Sequence, residues 1–229
     1  MVRNTFALLA LLLLPGIRPA AAATPPELKD LPLYEVPARK PGDTLAVFLT
    51  GDGGWAQLDR SVSALLAQRG VAVVGLSSLK YFWHARTPEK TAADVARILR
   101  HYLAAWKKTR VLLVGYSFGA DILPPIANRL PPDLLERVHL IALLAASPTA
   151  TFEIHVGGWL GIDDENGLPV VAEARKLHGK RLLCLYGQGE KDESSCPQLA
   201  SLPDVRVVTL PGAHKFRRRY DLLVAEILK

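Results

Sequence analysis

The feature that most constrains this chain is a short apolar segment that runs directly into the pattern Gly-x-Ser-x-Gly. Val111–Val114 has the composition of a buried strand, GYSFG follows at 115–119, and a helix-compatible segment, Ala120–Leu130, comes next. In this context the pattern predicts a nucleophile elbow, a sharp strand-to-helix turn that holds Ser117 exposed above a sheet. The alternative is an ordinary strand-to-helix turn with a capping serine.

A serine nucleophile needs a base and a group that orients the base, and after such an elbow the chain order is serine, acid, histidine. Asp192 follows one predicted strand and His214 follows the next. Because the carboxyl ends of parallel strands build the sites of open α/β sheets, we predict that Ser117, Asp192 and His214 are the catalytic residues. Glu190, in the same loop as Asp192, is the alternative acid.

An oxyanion formed at Ser117 would need two backbone N–H donors. The first is expected from Phe118, the residue after the nucleophile, and the second from an early strand-to-helix loop. Gly51–Trp55 is such a loop, and its glycines allow the backbone near Asp52 and Gly53 to approach a bound oxygen. An ordinary flexible turn is the alternative interpretation of these glycines.

Apolar strands and helical segments alternate along the 229 residues, of which 49% are hydrophobic. This order predicts a single domain with a mostly parallel sheet and helices on both faces, and together with the elbow and the serine–acid–histidine order it predicts an α/β-hydrolase. The predicted strands are Leu45–Thr50, Val71–Gly75, Val111–Val114, Val138–Leu144, Leu182–Tyr186 and Val205–Leu210. The predicted helices are Asp59–Arg69, Thr91–Ala105, Ala120–Leu130, Val170–Leu177 and a last one that starts near Tyr220.

The N-terminus has the features of a secretory signal peptide. Met1–Ala23 contains an early positive charge at Arg3, an apolar core at Phe6–Leu14 and a small-residue end at Ala21–Ala23. The apolar core is too short to span a bilayer as a helix, although a retained anchor is the alternative. We therefore predict an exported, periplasmic protein.

After the signal-like segment the chain is rich in proline and charge as far as Gly42. We expect residues 24–42 to be an N-terminal extension with one edge strand at Leu33–Val36. The hydrolase domain is then expected to occupy residues 43–229.

The two cysteines fit this destination. Cys184 lies on the strand before the acid loop, and Cys196 lies just after Asp192. An oxidising compartment favours a disulfide between them, whereas two free thiols are the alternative. Their spacing suits no familiar metal site, and the proposed chemistry needs neither a metal nor another cofactor.

Several other side chains are candidates for contact with a substrate. Trp55, Trp83 and Trp159 could line an acyl or headgroup pocket, although large aromatic residues often pack in a core. Asp121 and Asp52 would suit an ammonium group, or could complement helix starts. The basic run at 215–219 could contact anionic lipid headgroups or form a solvated helix start. Nucleic acid is not an expected partner, since no basic strip with interleaved aromatic residues is present.

Four segments carry a more specific resemblance. They are LTGDGGW at Leu49–Trp55, SLKYFW at Ser78–Trp83 with ARTPE at Ala85–Glu89, GYSFGAD at Gly115–Asp121 and FEIHVGGWLG at Phe152–Gly161. In these segments the chain resembles the bacterial virulence protein VirJ family, which includes the catalytic domain of AcvB. The similarity extends over about Leu45–Leu228, nearly all of the expected mature chain.

The resemblance implies a periplasmic α/β-hydrolase whose serine, acid and histidine correspond to Ser117, Asp192 and His214. AcvB-type members are taken to hydrolyse lysyl-phosphatidylglycerol, an aminoacylated membrane lipid. The family name also implies a link to type IV secretion components. The chain departs from the family in being more basic after the histidine, at 215–219.

Together these features predict an exported serine hydrolase that cleaves a carboxylic ester, by resemblance the aminoacyl ester of a membrane phospholipid, with peripheral membrane contact. A generic carboxylesterase for soluble substrates is the alternative enzyme. An alternative from another class is a periplasmic binding or assembly component that keeps the fold without turnover.

Overall fold

The computed structural model describes residues 26–154 and 167–229. Its nine strands are β1 (Leu33–Val36), β2 (Thr44–Leu49), β3 (Ala72–Leu76), β4 (Arg110–Tyr116), β5 (Val138–Leu144), β6 (Thr149–Ala150), β7 (Leu168–Pro169), β8 (Leu182–Gly187) and β9 (Val205–Leu210). Its α-helices are α1 (Gln57–Gln68), α2 (Ser78–Tyr81), α3 (Pro88–Ala105), α4 (Phe118–Ala127), α5 (Pro132–Arg137), α6 (Val170–Arg175), α7 (Cys196–Leu199) and α8 (Tyr220–Ile227).

Seven of these strands form one sheet in the order β1-β3-β2-β4-β5-β8-β9. Strand β1 pairs with β3 in the antiparallel direction, and every other pair in the sheet is parallel. Strand β4 therefore lies near the middle, with β2 and β5 as its neighbours. Strands β6 and β7 form a separate short antiparallel pair.

The sheet is covered on both faces because alternate residues of its strands point to opposite sides. On β2, Leu45, Val47 and Leu49 belong to one hydrophobic cluster, whereas Ala46 and Phe48 belong to the other. Helices α1 and α8 pack together on one side, and α4 contacts both α3 and α6 on the other. The predicted α/β-hydrolase architecture, a mostly parallel sheet with helices on both faces, is confirmed.

The predicted elements all appear, with ends that differ by a few residues. The edge strand expected at Leu33–Val36 is present as β1. Helix α3 begins earlier than predicted, at Pro88, because Thr87 caps it by accepting a hydrogen bond from the Lys90 N–H at 3.1 Å. The short helix α5 was not predicted from the sequence. The predicted signal peptide, Met1–Ala23, lies outside the described residues.

The predicted disulfide is confirmed, with Cys184 on β8 joined to Cys196 at the start of α7. The bridge encloses the loop that follows β8, including both candidate acids. Within residues 26–154 and 167–229, no helix combines the length and the apolar character that crossing a membrane would require.

Candidate active site

The turn between β4 and α4 has the geometry of a nucleophile elbow. Ser117 has φ +53° and ψ −124°, a strained conformation for a residue with a side chain. Its N–H donates to the Leu144 carbonyl of β5 at 2.8 Å, which fixes the turn on the sheet. A Cβ atom at Gly115 would lie 2.3 Å from the Gly119 oxygen, and one at Gly119 would lie 2.2 Å from the Leu49 oxygen. Both glycines are therefore needed for the close approach of backbone around the serine.

A continuous chain of hydrogen bonds connects this serine to a histidine and a carboxylate. The Ser117 Oγ lies 2.8 Å from Nε2 of His214, and Nδ1 of the same ring lies 2.5 Å from Oε1 of Glu190. With the proton on Nδ1, the ring donates to the carboxylate and Nε2 accepts from the hydroxyl. The arrangement therefore presents an activated hydroxyl at the carboxyl edge of the sheet.

The structure corrects the predicted acid. Glu190, the alternative considered above, pairs with the histidine, and Asp192 is exposed in the turn that follows. The physical reason is that β8 continues into one turn of 3-10 helix, Gln188–Glu190, which ends with the glutamate beside His214. Its side chain is 13% exposed, and its Oε2 is buried with no hydrogen-bond partner among the described residues.

The histidine loop is fixed by contacts that the sequence did not reveal. Tyr116, the residue before the nucleophile, donates its hydroxyl to the His214 carbonyl at 3.1 Å. Burial is the main cause that raises the pKa of Tyr116, so the phenol stays a donor. Gly189 donates to the Gly212 carbonyl at 2.9 Å, which ties the acid loop to the histidine loop. These bonds hold the base and its carboxylate in register with Ser117.

The two segments expected to supply the oxyanion donors lie beside the serine. Phe118 begins α4, and the first N–H groups of a helix have no acceptor within the helix. The loop that contains Asp52 and Gly53 lies close by, since a Cβ atom at Gly51 would be 3.5 Å from the Ser117 Cβ. Asp52 and Gly53 are exposed at this edge. The two segments predicted to supply the donors therefore flank the nucleophile.

Buried polar side chains form hydrogen bonds that hold the glycine loop in position. Thr50 donates its hydroxyl to the Gly51 carbonyl at 2.9 Å and accepts from the Ser78 N–H at 2.8 Å. The carboxylate of Asp59 accepts from the Ala56 N–H at 2.9 Å, and burial raises its pKa to about 6. Sequence reasoning missed these residues, because a threonine after a strand and an aspartate in the first turn of a helix are common features with local explanations.

The remaining predicted contact residues have different surroundings. The Trp55 ring stacks on Tyr34 at 4.9 Å between centroids and occupies the space beside Gly75, which gives Trp55 a packing role. Asp121 is buried and accepts from the Ser147 N–H at 2.6 Å, while burial raises its pKa to about 8. Trp83 is 52% exposed. Of Trp55, Asp121 and Trp83, only Trp83 presents a largely exposed side chain.

A row of aromatic rings leads away from the nucleophile. The ring of Phe118 lies 5.1 Å from that of Phe82, which in turn lies 6.0 Å from that of Phe152. The row reaches a cavity of about 420 Å³ whose walls include Arg86 and Glu89. A smaller cavity of about 60 Å³ lies directly beside Glu190 and His214, also contacting Ser147. Phe82 is completely buried, so the three rings form a packed connection between the nucleophile and the larger cavity.

The sheet order, the elbow and the Ser117–His214–Glu190 chain define the α/β-hydrolase class. A family model described as bacterial virulence protein (VirJ) matches residues 43–229, and the chain belongs to that family. Of the fourth resembling segment, residues 155–161 lie outside the described part of the chain. No curated protein sequence matches the chain.

Solved structures share the fold at low sequence identity. Est1E from Butyrivibrio proteoclasticus, with ferulic acid bound, superposes with a TM-score of 0.61 at 14% identity, covering 86% of this chain and 92% of that one. Proline iminopeptidase from Mycobacterium smegmatis superposes with a TM-score of 0.59 at 13% identity, covering 85% of this chain and 92% of that one. A Pyrococcus furiosus esterase superposes with a TM-score of 0.58 at 14% identity, covering 91% of this chain and 96% of that one. At these identities the similarity establishes the fold.

Proposed function

We propose that this protein is an exported serine hydrolase that cleaves a carboxylic ester. The observation that carries the proposal is the hydrogen-bonded chain from Ser117 through His214 to Glu190. Ser117 attacks the ester carbonyl, and His214 takes the hydroxyl proton and then delivers it to the leaving alcohol. Water, activated by the same histidine, releases the acyl group from the serine in the second half of the reaction.

The remaining groups of the site have defined roles in this mechanism. Glu190 holds the imidazole in the tautomer with the proton on Nδ1 and stabilises the imidazolium that forms. The N–H of Phe118 and a backbone N–H near Asp52 and Gly53 stabilise the oxyanion of each tetrahedral intermediate. All of these groups belong to the chain itself, so the mechanism requires no metal or cofactor.

The substrate that we propose is the aminoacyl ester of lysyl-phosphatidylglycerol. Membership of the VirJ family supports this substrate, through the resemblance to its AcvB-type members. The cavity at the end of the aromatic row also supports it, since Arg86 and Arg129 in its walls suit the phosphate of such a substrate, while Glu89 pairs with Arg129 at 2.7 Å. The disulfide and the family together support export, which would bring the enzyme to a membrane surface.

A generic carboxylesterase is the second candidate, because esterases of broadly similar fold are among the solved structures that resemble this chain. The two candidates differ in substrate and share the chemistry. A non-catalytic role in assembly at a type IV secretion system is disfavoured, because such a role does not require the aligned hydrogen bonds from Ser117 to His214 and from His214 to Glu190.

Hydrolysis of lipid vesicles tests the proposed substrate. The purified protein is incubated with vesicles of phosphatidylglycerol that contain lysyl-phosphatidylglycerol with deuterated acyl chains, and free lysine and deuterated phosphatidylglycerol are measured by mass spectrometry. We expect release of both products by the wild-type protein and none by the Ser117→Ala variant. Cleavage of p-nitrophenyl acetate without any cleavage of the lipid would favour the generic carboxylesterase.

The disulfide gives a prediction about the acid loop. The Cys184–Cys196 bridge encloses Glu190, and by loop entropy it contributes about 3 kcal/mol to stability. Since most of the core lies in other strands, we expect mild reduction to lower ester hydrolysis before it unfolds the domain. Activity and far-ultraviolet circular dichroism are followed together during titration with a reductant.

The matched control is the double variant with Cys184→Ala and Cys196→Ala, whose activity should not respond to the reductant. Simultaneous loss of activity and ellipticity in the wild-type protein would show that the bridge has no separate effect on the acid loop.

A further inference from the structure

The chain after the catalytic histidine forms an unusual turn. Phe216, Arg217 and Arg218 have φ values of +50°, +48° and +59°, three consecutive residues in the left-handed region without a glycine. Such conformations are unfavourable for residues with side chains, so the surroundings must impose them. The turn is closed by hydrogen bonds from the Arg218 N–H to the Lys215 carbonyl at 2.8 Å and from the Arg219 N–H to the Phe216 carbonyl at 2.9 Å.

The turn is anchored from inside the protein. The Phe216 side chain is completely buried in the hydrophobic cluster that also contains Tyr220 and Leu223 of α8. Its N–H donates to the Ala213 carbonyl at 2.7 Å, one residue before His214. Because Phe216 points into the core, its neighbours in the tight turn are directed outward. The buried Phe216 therefore holds the turn in place, and with it the cationic side chains of its neighbours beside the active site.

Three of these cations have no counter-charge among residues 26–154 and 167–229. Lys215, Arg217 and Arg218 are exposed, and they form no ion pair or side-chain hydrogen bond with the residues that the structure describes. Arg219 differs, since it pairs with Asp221 at 2.8 Å. Three neighbouring positive charges without acidic partners repel one another, and this repulsion is relieved when an anionic surface binds.

An exposed aromatic side chain lies on the other side of the nucleophile. Trp83 is 52% exposed, and it follows Phe82, whose ring contacts the ring of Phe118 beside Ser117. Among the described residues, Leu228 is the one other large hydrophobic side chain that is exposed. A tryptophan in such a position suits the interface of a bilayer, where its ring contacts apolar chains and its N–H stays near polar headgroups.

The topology places these features on one face of the molecule. Trp83 lies beyond the carboxyl end of β3, the cationic turn lies beyond the carboxyl end of β9, and Ser117 follows β4, which lies between them in the sheet. We propose that Trp83 and the cationic turn, defined by Lys215, Arg217 and Arg218, form a contact face for an anionic lipid bilayer around the active site. The inference rests on the proposed function, because it explains how the active site could reach an ester in a membrane lipid.

Binding to vesicles tests this contact face without any need for turnover. The protein is mixed with vesicles of equal parts phosphatidylcholine and phosphatidylglycerol, or of phosphatidylcholine alone, and the bound fraction is measured by co-sedimentation. The wild-type protein should bind the anionic vesicles more tightly. The triple variant Lys215→Gln, Arg217→Gln, Arg218→Gln should bind them about a hundredfold more weakly, at about fivefold for each charge removed near the surface.

A matched triple variant controls for net charge. Arg110→Gln, Arg137→Gln and Arg175→Gln remove three exposed arginines from the start of β4 and the ends of α5 and α6, at the amino edge of the sheet. This control should bind vesicles nearly as the wild-type protein does. Equal weakening by both triple variants, or wild-type binding by the first, would overturn the contact face.

Tryptophan fluorescence tests the aromatic part of the face independently. Anionic vesicles should shift the emission of the wild-type protein to shorter wavelength, and Trp83→Phe should abolish this shift. A shift that persists in Trp83→Phe would remove Trp83 from the face.

Hydrolysis of p-nitrophenyl acetate by the first triple variant should remain at the wild-type rate, which reports an intact fold. Loss of vesicle binding with retained ester hydrolysis thus supports the contact face. Failure of the hydrolase proposal would instead appear as the absence of ester hydrolysis in every variant, including the wild-type protein.

Discussion

Replacing Ser117 with alanine should lower kcat/KM for a soluble ester by a factor on the order of 10⁴ to 10⁶, because the variant lacks the nucleophile and retains only the oxyanion donors. Folding should be nearly unaffected. The serine lies at a turn on the molecular surface, so loss of its hydroxyl leaves no cavity in the core.

Hydrolysis of p-nitrophenyl acetate and the thermal midpoint of unfolding measure the two effects separately. The alanine variant should show a wild-type midpoint with activity near the background rate. Near-normal hydrolysis by a folded Ser117→Ala protein would exclude the serine mechanism.

The second large effect concerns the acid. Glu190→Gln should lower kcat by a factor on the order of 10⁴, because an amide would favour the imidazole tautomer that places the proton on Nε2. Asp192→Asn should change the rate by less than about twofold, since Asp192 is exposed and does not touch His214. Kinetics of both variants on one soluble ester decide the assignment.

The comparison of these two variants has a built-in control, since each replaces a carboxylate of the same loop with its amide. A larger loss in Asp192→Asn than in Glu190→Gln would restore the assignment first made from the sequence. The kcat of a Glu190→Asp variant should lie between those of the wild-type protein and Glu190→Gln. The aspartate keeps the negative charge, but its shorter side chain reaches less far toward Nδ1 of His214.

The sequence predicted the sheet well because its strands are rich in apolar and β-branched residues. Val138–Leu144, which is buried except at His139, and the partly buried edge strand Val205–Leu210 both have the ends that were predicted. The elbow was also predictable, since Gly115 and Gly119 are spaced for a turn that a larger residue would block. Local composition was thus sufficient to predict the strands of the sheet and the position of the nucleophile.

Local composition could not predict which carboxylate pairs with His214. Glu190 and Asp192 are both carboxylates in one loop after β8, and the choice depends on whether that loop continues the strand or turns away. The 3-10 turn at Gln188–Glu190 and the bond from Gly189 to Gly212 make this choice through contacts with a distant loop. Spacing along the chain carries no information about such contacts.

The packing of Trp55 and the conformation of the basic run also depend on tertiary contacts that the sequence does not reveal. Trp55 lies in the glycine loop, but its ring packs on Tyr34 of β1, a strand in the segment before the domain. The left-handed conformation of the basic run depends on the burial of Phe216 against α8, which brings together residues on both sides of the turn. Tertiary packing thus determines where the Trp55 ring lies and which conformation the basic run adopts.

Labelling with a fluorophosphonate probe tests the central claim most directly, because the probe reacts with a serine hydroxyl only when a base activates it. The probe is applied to the folded protein, and the modified peptide is identified by mass spectrometry. We predict a single adduct on Ser117 that is absent after heat denaturation and strongly reduced in His214→Ala. A folded wild-type protein that remains unlabelled, or that is labelled on another residue, would contradict the account.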